Sequence, residues 1–125
     1  MRVSTVRTLG LLHEDPAILS ANCPSRVLLD HVTSKWGVLV LIALSQATLR
    51  WAELRRRVEG VSEKMLSQTL RTLEQDGFVL REAATTIPPR VDYSLTPRGR
   101  ELTALLVPLV QWVGVHAGEV LEEPS

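Results

Sequence analysis

The sequence predicts an α+β fold that is mainly α, arranged as a winged helix-turn-helix. Three observations point to it. Ser62 opens an amphipathic helical stretch in which Leu66, Leu70 and Leu73 share one side. Immediately afterwards, from Phe78 to Leu95, the apolar pattern shifts to period two, and two β-prone runs flank a proline-containing loop. Just upstream, a short arginine-rich helical segment ends at Gly60, so two helices meet across a tight turn directly before the hairpin.

The elements can be justified in order. Residues 1 to 24 are weakly periodic and are expected to form an N-terminal extension that contacts a partner subunit through Leu11, Leu12, Ile18 and Leu19. Ser25 is the expected N-cap of a short helix over Arg26 to Val32, with Val27, Leu28 and Leu29 turned to the core. Thr33 or Ser34 starts a second helix, Lys35 to Ser45, so continuous in apolar residues that burial on all sides is expected. A β-prone segment from Ala47 to Trp51 leads into a helix from Ala52 to Val58. There Leu54 and Val58 face inward, Arg55, Arg56 and Arg57 spread over the exposed side, and Arg57 stands four residues from Glu53 as a candidate ion pair.

Gly77 is expected to end the next helix as a left-handed C′ residue. With the leucines buried, Lys64, Ser67, Gln68, Arg71 and Gln75 occupy the opposite face. Phe78 to Glu82 and Arg90 to Leu95 are the expected strands of a two- to three-stranded wing sheet, joined by a loop from Ala83 to Pro89 that its two prolines stiffen. Thr96 caps the last helix, with Pro97 at its first position. Over residues 97–120 this helix shows Leu102, Leu105, Leu106, Leu109, Trp112, Val113 and His116, more apolar surface than docking on a small domain requires, and it is expected to be a dimerisation helix. The domain proper then covers residues 25–123, with dimerisation helices at both ends.

Size and composition bound the function. A chain of 125 residues that is 45% hydrophobic accommodates one domain with its own core. Its single cysteine, Cys23, excludes an intramolecular disulfide, and its opening residues lack the pattern of a secretory signal, so the cytoplasm is the expected location. The longest apolar run, Trp36 to Leu44, falls short of the roughly 20 residues a bilayer span needs, and no membrane partner is expected. The formal net charge is zero, yet residues 35–100 hold eleven Lys and Arg against seven Asp and Glu, while the flanks hold three against seven. A basic middle between acidic ends suits a phosphate-facing body, since backbone contacts need local rather than global positive charge.

At the residue level, Lys35-Trp36, then Trp51-Ala52-Glu53-Leu54-Arg55, Gly60-Val61-Ser62-Glu63-Lys64-Met65-Leu66-Ser67-Gln68, Leu70-Arg71, Leu73-Glu74, Asp76-Gly77 and Pro88-Pro89-Arg90-Val91-Asp92-Tyr93-Ser94-Leu95-Thr96-Pro97, together with Cys23-Pro24, form an ordered series. This series resembles the HxlR-type winged-helix transcription regulators, related in architecture to the MarR group, over roughly residues 23 to 115. The chain departs from the family pattern at Ala52, where a serine-like cap is frequent, and at Thr33-Ser34, where many members carry two glycines. The resemblance implies a homodimer that binds double-stranded DNA and regulates transcription.

The second helix of such a pair leads with its N-terminal half into the major groove, which makes Ser62, Lys64, Ser67, Gln68 and Arg71 the expected base-edge residues. Gln68 suits adenine, and Arg71 or Lys64 suits guanine or phosphate. Arg90 follows the wing loop and is expected at the minor groove or its flanking phosphates; Arg50, Arg55 and Arg56 are expected phosphate clamps that position without selecting sequence. Each of these residues also has a plainer reading as part of a solvated surface.

Cys23 matches a cysteine with which some relatives sense oxidants or electrophiles, and a following helix N-terminus would favour its thiolate; it reads equally well as a small apolar filler. An oxidant or small-molecule effector is therefore an open expectation. His13, His31 and His116 lack a second ligand at metal spacing, so no metal and no cofactor are expected. No thiol enzyme is expected either, because no orienting third group accompanies Cys23 and His31. Trp36, Trp51 and Trp112 suit core or interface anchors better than ligand stackers. A winged-helix protein-interaction module without DNA binding is the alternative, and it would have a recognition face that is polar without being basic.

Overall fold

Residues 16–122 are described by the structure, a computed structural model, in which one unit of the chain ends at Thr33 and a second begins at Ser34. Leu11, Leu12 and His13 lie outside the described residues.

In the first unit a 3₁₀ turn, Pro16–Leu19, precedes helix α1, Pro24–Thr33. Arg26 ties the two together by donating from Nη1 to the Leu19 carbonyl at 2.9 Å. Two expectations are corrected here. Ser25 is not the N-cap; it lies inside the first turn, because Pro24, whose fixed φ suits the first helical position, starts the helix two residues earlier than expected. Val27, Leu28 and Leu29 are exposed rather than buried. Within this unit the 3₁₀ turn is the element packed against α1, and one turn is too small to cover an apolar helix face.

The second unit starts with α2, Lys35–Gln46, whose N-cap Ser34 accepts the Gly37 N–H at 3.2 Å. Its burial is one-sided: Gly37, Val40, Leu41, Ala43 and Leu44 are buried, whereas Leu39 is exposed and Val38 and Ile42 are half-buried. The expectation of burial all round therefore fails, since the elements of one small unit pack against α2 from a single side.

Strand β1, Leu49–Arg50, leads directly into α3, Trp51–Arg57, whose first turn is closed by Glu53 accepting the Arg50 N–H at 2.8 Å. Arg57 does not pair with Glu53, whose carboxylate is engaged there; its Nη1 donates to Gln46 Oε1 at 3.2 Å. Gly60, at φ +91°, makes the turn between the two helices of the motif.

Helix α4, Glu63–Gln75, is capped by Ser62, whose Oγ accepts the Met65 N–H at 3.1 Å. Leu66, Leu70 and Leu73 are buried on its inner side and α4 packs against α2. Burying each leucine contributes about 1.5–3 kcal/mol. Together they set which way the helix faces.

Strands β2, Val79–Ala84, and β3, Arg90–Leu95, pair antiparallel from Val79↔Leu95 out to Ala84↔Arg90. β1 adds to the far side of β3, with Leu49 opposite Tyr93 and Arg50 opposite Asp92, so the sheet is three-stranded in the order β1-β3-β2. The strand runs two residues further than expected, to Ala84. Of the two wing strands only Val79 and Leu95 are buried, which leaves the distal half of the hairpin clear of the core.

The last helix, α5, spans Pro97–Glu122. Thr96 Oγ1 accepts the Gly99 N–H at 3.0 Å and donates to the Gly77 carbonyl at 2.6 Å, while the Thr96 N–H donates to the Phe78 carbonyl at 3.0 Å. Three elements, α4, β2 and α5, therefore meet at this one threonine. Gly77 is at φ +83°, the left-handed C′ conformation expected of it. Gly99, Thr103 and Leu106 are the buried residues of α5, and all precede Pro108, which lacks the N–H that would close a helical bond to the Ala104 carbonyl. At 26 residues, about 39 Å, α5 is long and apolar enough to cross a bilayer by length and composition, and 6% of its most apolar stretch is buried. The uninterrupted-run criterion missed it because Pro108, Gln111, Gly114 and His116 punctuate the stretch.

A Cβ at position 99 would collide with the Phe78 backbone carbonyl, which Thr96 already holds in place. Gly99→Ala is accordingly expected to lower stability by about 1–3 kcal/mol, seen as a reduced urea midpoint with an unchanged slope.

Candidate nucleic-acid interface

Because the leucine stripe turns inward, the outer face of α4 presents Lys64, Gln68, Arg71 and Gln75, all exposed. Ser67 is half-buried at the edge of that face. Lys64, Gln68 and Arg71 make no hydrogen bond or ion pair among the described residues, so their donors and acceptors are available to a ligand. Ser62 is exposed, and its hydroxyl oxygen accepts the Met65 N–H; its O–H and second lone pair remain for a ligand.

The arginines upstream differ in their commitments. Arg56 is exposed on α3 without a partner among the described residues. Arg55 is bound across the helix-turn-helix, its Nη1 3.2 Å from Glu63 Oε2. Arg50 is exposed at the end of β1, opposite Asp92 in the sheet register. Arg90 is exposed at the start of β3, its Nε 3.2 Å from Asp92 Oδ1. Asp92 thus steadies Arg90 from two residues along the same strand. The residues that line the groove beside the turn, Trp51, Arg55, Arg56, Glu59, Gly60 and Ser62, bring α3 and the start of α4 to one surface.

The α5 residues divide into two groups. Leu106, expected on the dimerisation surface, is buried in the domain with 6% of its surface exposed, because it lies on the inner side of the helix with Thr103. Leu105, Leu109, Trp112 and Val113 are exposed, and Leu102 and His116 are half-buried. His116 stacks on Trp112, the rings 4.3 Å apart and 21° from parallel, and its Nδ1 is 2.8 Å from the Trp112 carbonyl oxygen. Val115, Val120 and Leu121 extend the exposed apolar surface into the last turns. Sequence reasoning stopped short of these three, although their spacing from Trp112 along a helix could have shown them.

Two further side chains were missed. Glu63 carries no cation or amide to mark it as a DNA contact, although its eight-residue spacing from Arg55 spans the turn between the helices. Arg81 is exposed on β2 and adds a cation to the wing. Cys23 is half-buried immediately before α1, its carbonyl accepting the Arg26 N–H at 2.9 Å.

A capped helix following a tight turn and packed on a second helix, with a hairpin completing a three-stranded sheet, defines the chain as a winged helix-turn-helix protein. The family model for the HxlR-like helix-turn-helix matches residues 31–120, and the chain belongs to that family. It is 50% identical over 104 residues to the HTH-type transcriptional regulator YtfH of Escherichia coli (strain K12), itself uncharacterised, covering 83% of this chain and 82% of YtfH. The structure of ytfH from Salmonella typhimurium superimposes with a TM-score of 0.79 at 48% identity, covering 84% of this chain and 94% of that one. The redox regulator HypR in its oxidized form gives a TM-score of 0.69 at 34% identity, covering 74% of this chain and 96% of HypR. The family is one of transcription regulators rather than enzymes.

Proposed function

We propose that this protein is a cytoplasmic, sequence-specific DNA-binding regulator that acts as a homodimer on a pseudo-palindromic operator. The observation that carries this reading is the outer face of α4, where Lys64, Gln68 and Arg71 are exposed and unpartnered while Leu66, Leu70 and Leu73 anchor the helix from behind. In the major groove Gln68 pairs with adenine and Arg71 with guanine, and Ser62, Lys64 and Ser67 contact neighbouring bases or phosphates. Arg50, Arg55 and Arg56 clamp phosphates, and Arg90 reaches the flanking minor groove from the wing.

Titration of the chain against duplex from its own upstream region, across a salt series, tests the reading. Wild type binds one sequence preferentially, with a log–log salt slope of about −0.9 per phosphate contact. Arg71→Ala costs about 1–3 kcal/mol and relaxes selection at one position per half-site, and Arg90→Ala weakens binding to all sequences alike. Equal affinity for random duplex at every salt, unmoved by either substitution, would sink the DNA-binding reading in favour of an interaction module.

The exposed apolar strip of α5 supports the dimer. Leu105, Leu109, Trp112 and Val113 form one surface that water covers in a single chain; subunit contact by residues 1–24 is a separate part of the proposal. Two copies of α4 then stand about 34 Å apart, one turn of duplex. Leu109→Glu is expected to convert the dimer to monomer in sedimentation velocity and to abolish operator binding at nanomolar protein; a dimer that persists through this change places the interface elsewhere.

Dimer geometry is the quantity an effector alters, and Cys23 is the residue on which an oxidant acts. Its thiolate attacks a peroxide oxygen, giving a sulfenic acid and releasing hydroxide. The half-burial of Cys23 before α1 and the likeness to a redox regulator support this. Hydrogen peroxide should change operator affinity of the wild type and leave Cys23→Ser unaffected; an equal response from both excludes the thiol.

A further inference from the structure

Glu63 is the first residue of α4, at the end of the helix that enters the groove first in the proposed complex, and its carboxylate is held toward α3 by Arg55. The pair is open to solvent, with 70% of the Glu63 side chain and 45% of the Arg55 side chain exposed. An exposed ion pair of this kind contributes little to stability. Nor does the cap depend on Glu63, because Ser62 already serves the Met65 N–H. Arg55 engages Oε2, and Oε1 has no hydrogen-bond partner among the described residues. The result is an acceptor-only group, steadied by a cation, at the edge of a face otherwise made of donors and amides.

We infer that Glu63 is a base-reading residue that accepts a hydrogen bond from the exocyclic amino group of a cytosine, with Arg55 as its positioning residue. This rests on the DNA-binding reading given above. Cytosine presents an N4 donor in the major groove, whereas guanine offers O6 and N7 and thymine O4, all acceptors that a carboxylate repels. Adenine sets its N6 donor beside the N7 acceptor, an arrangement suited to an amide and not to a carboxylate. A bare carboxylate would also be driven from the phosphates. Pairing with Arg55 offsets that repulsion, so the acid reaches the base edge as part of a neutral unit. Arg55 then does two things at once: it faces the backbone and it orients Glu63.

Selection from a randomised duplex pool, followed by sequencing, tests this with wild type, Glu63→Gln, Glu63→Asp and Arg55→Gln. Wild type enriches cytosine at one position in each half-site. Glu63→Gln lowers that preference by about fivefold or more and raises adenine at the same position, since the amide now both donates and accepts. Glu63→Asp keeps cytosine at reduced affinity, and Arg55→Gln weakens the cytosine preference while leaving the positions read by Gln68 and Arg71 unchanged. If Glu63→Gln enriches the same base as wild type at every position, with affinity changed uniformly, Glu63 serves only the helix terminus and the inference is overturned. If wild type enriches no sequence at all, the DNA-binding reading falls and this inference falls with it.

Discussion

Burial of Leu66, Leu70 and Leu73 along one stripe of α4 constrains everything the protein presents to its surroundings. These leucines sit at four- and three-residue spacing, so only one rotation of the helix places all of them against α2, and that rotation carries Lys64, Gln68 and Arg71 outward together. The polar outer face is thus a consequence of core packing. Any change that lets α4 roll would cost buried apolar area before it moved a single polar contact.

The remaining elements hold that helix at both ends. At the N-terminus Gly60 turns the chain and Ser62 caps it, while the Arg55–Glu63 pair bridges from α3. At the C-terminus the left-handed Gly77 passes the chain into β2, and Thr96 ties the Gly77 carbonyl, the Phe78 carbonyl and the first turn of α5 into one junction. α4, the β2–β3 hairpin and α5 share that junction. Hydrogen bonds around a glycine with no spare space hold these three elements in one arrangement.

Much of the architecture was legible in the residues because its signals are local. Capping by Ser62, the leucine stripe, the C′ glycine at 77 and the Thr96-Pro97 start of α5 all follow from side-chain and backbone chemistry within a few positions of one another. The misjudged places share a different character. α2 reads as buried on all sides, yet Leu39 is exposed; Leu106 reads as part of a dimerisation strip, yet it is core; Val27, Leu28 and Leu29 read as core, yet they are exposed. In each case hydrophobicity was identified correctly and its covering was not.

For the candidate site the same division holds. Sequence alone determined that Lys64, Gln68, Arg71 and Gln75 lie on the outer face of α4 and that a hairpin carrying Arg90 follows it, because helical and strand periodicity translate directly into sidedness. Only the tertiary structure decided which charges are committed: Arg57 to Gln46, Arg90 to Asp92, Arg55 to Glu63, with Arg56 and Arg71 left open among the described residues. Arg57–Gln46 and Arg55–Glu63 join neighbouring elements across eleven and eight positions, whereas Arg90–Asp92 lies within β3. Periodicity assigns a side chain to a face; whether that side chain is spoken for depends on what the fold brings within about 3 Å of it.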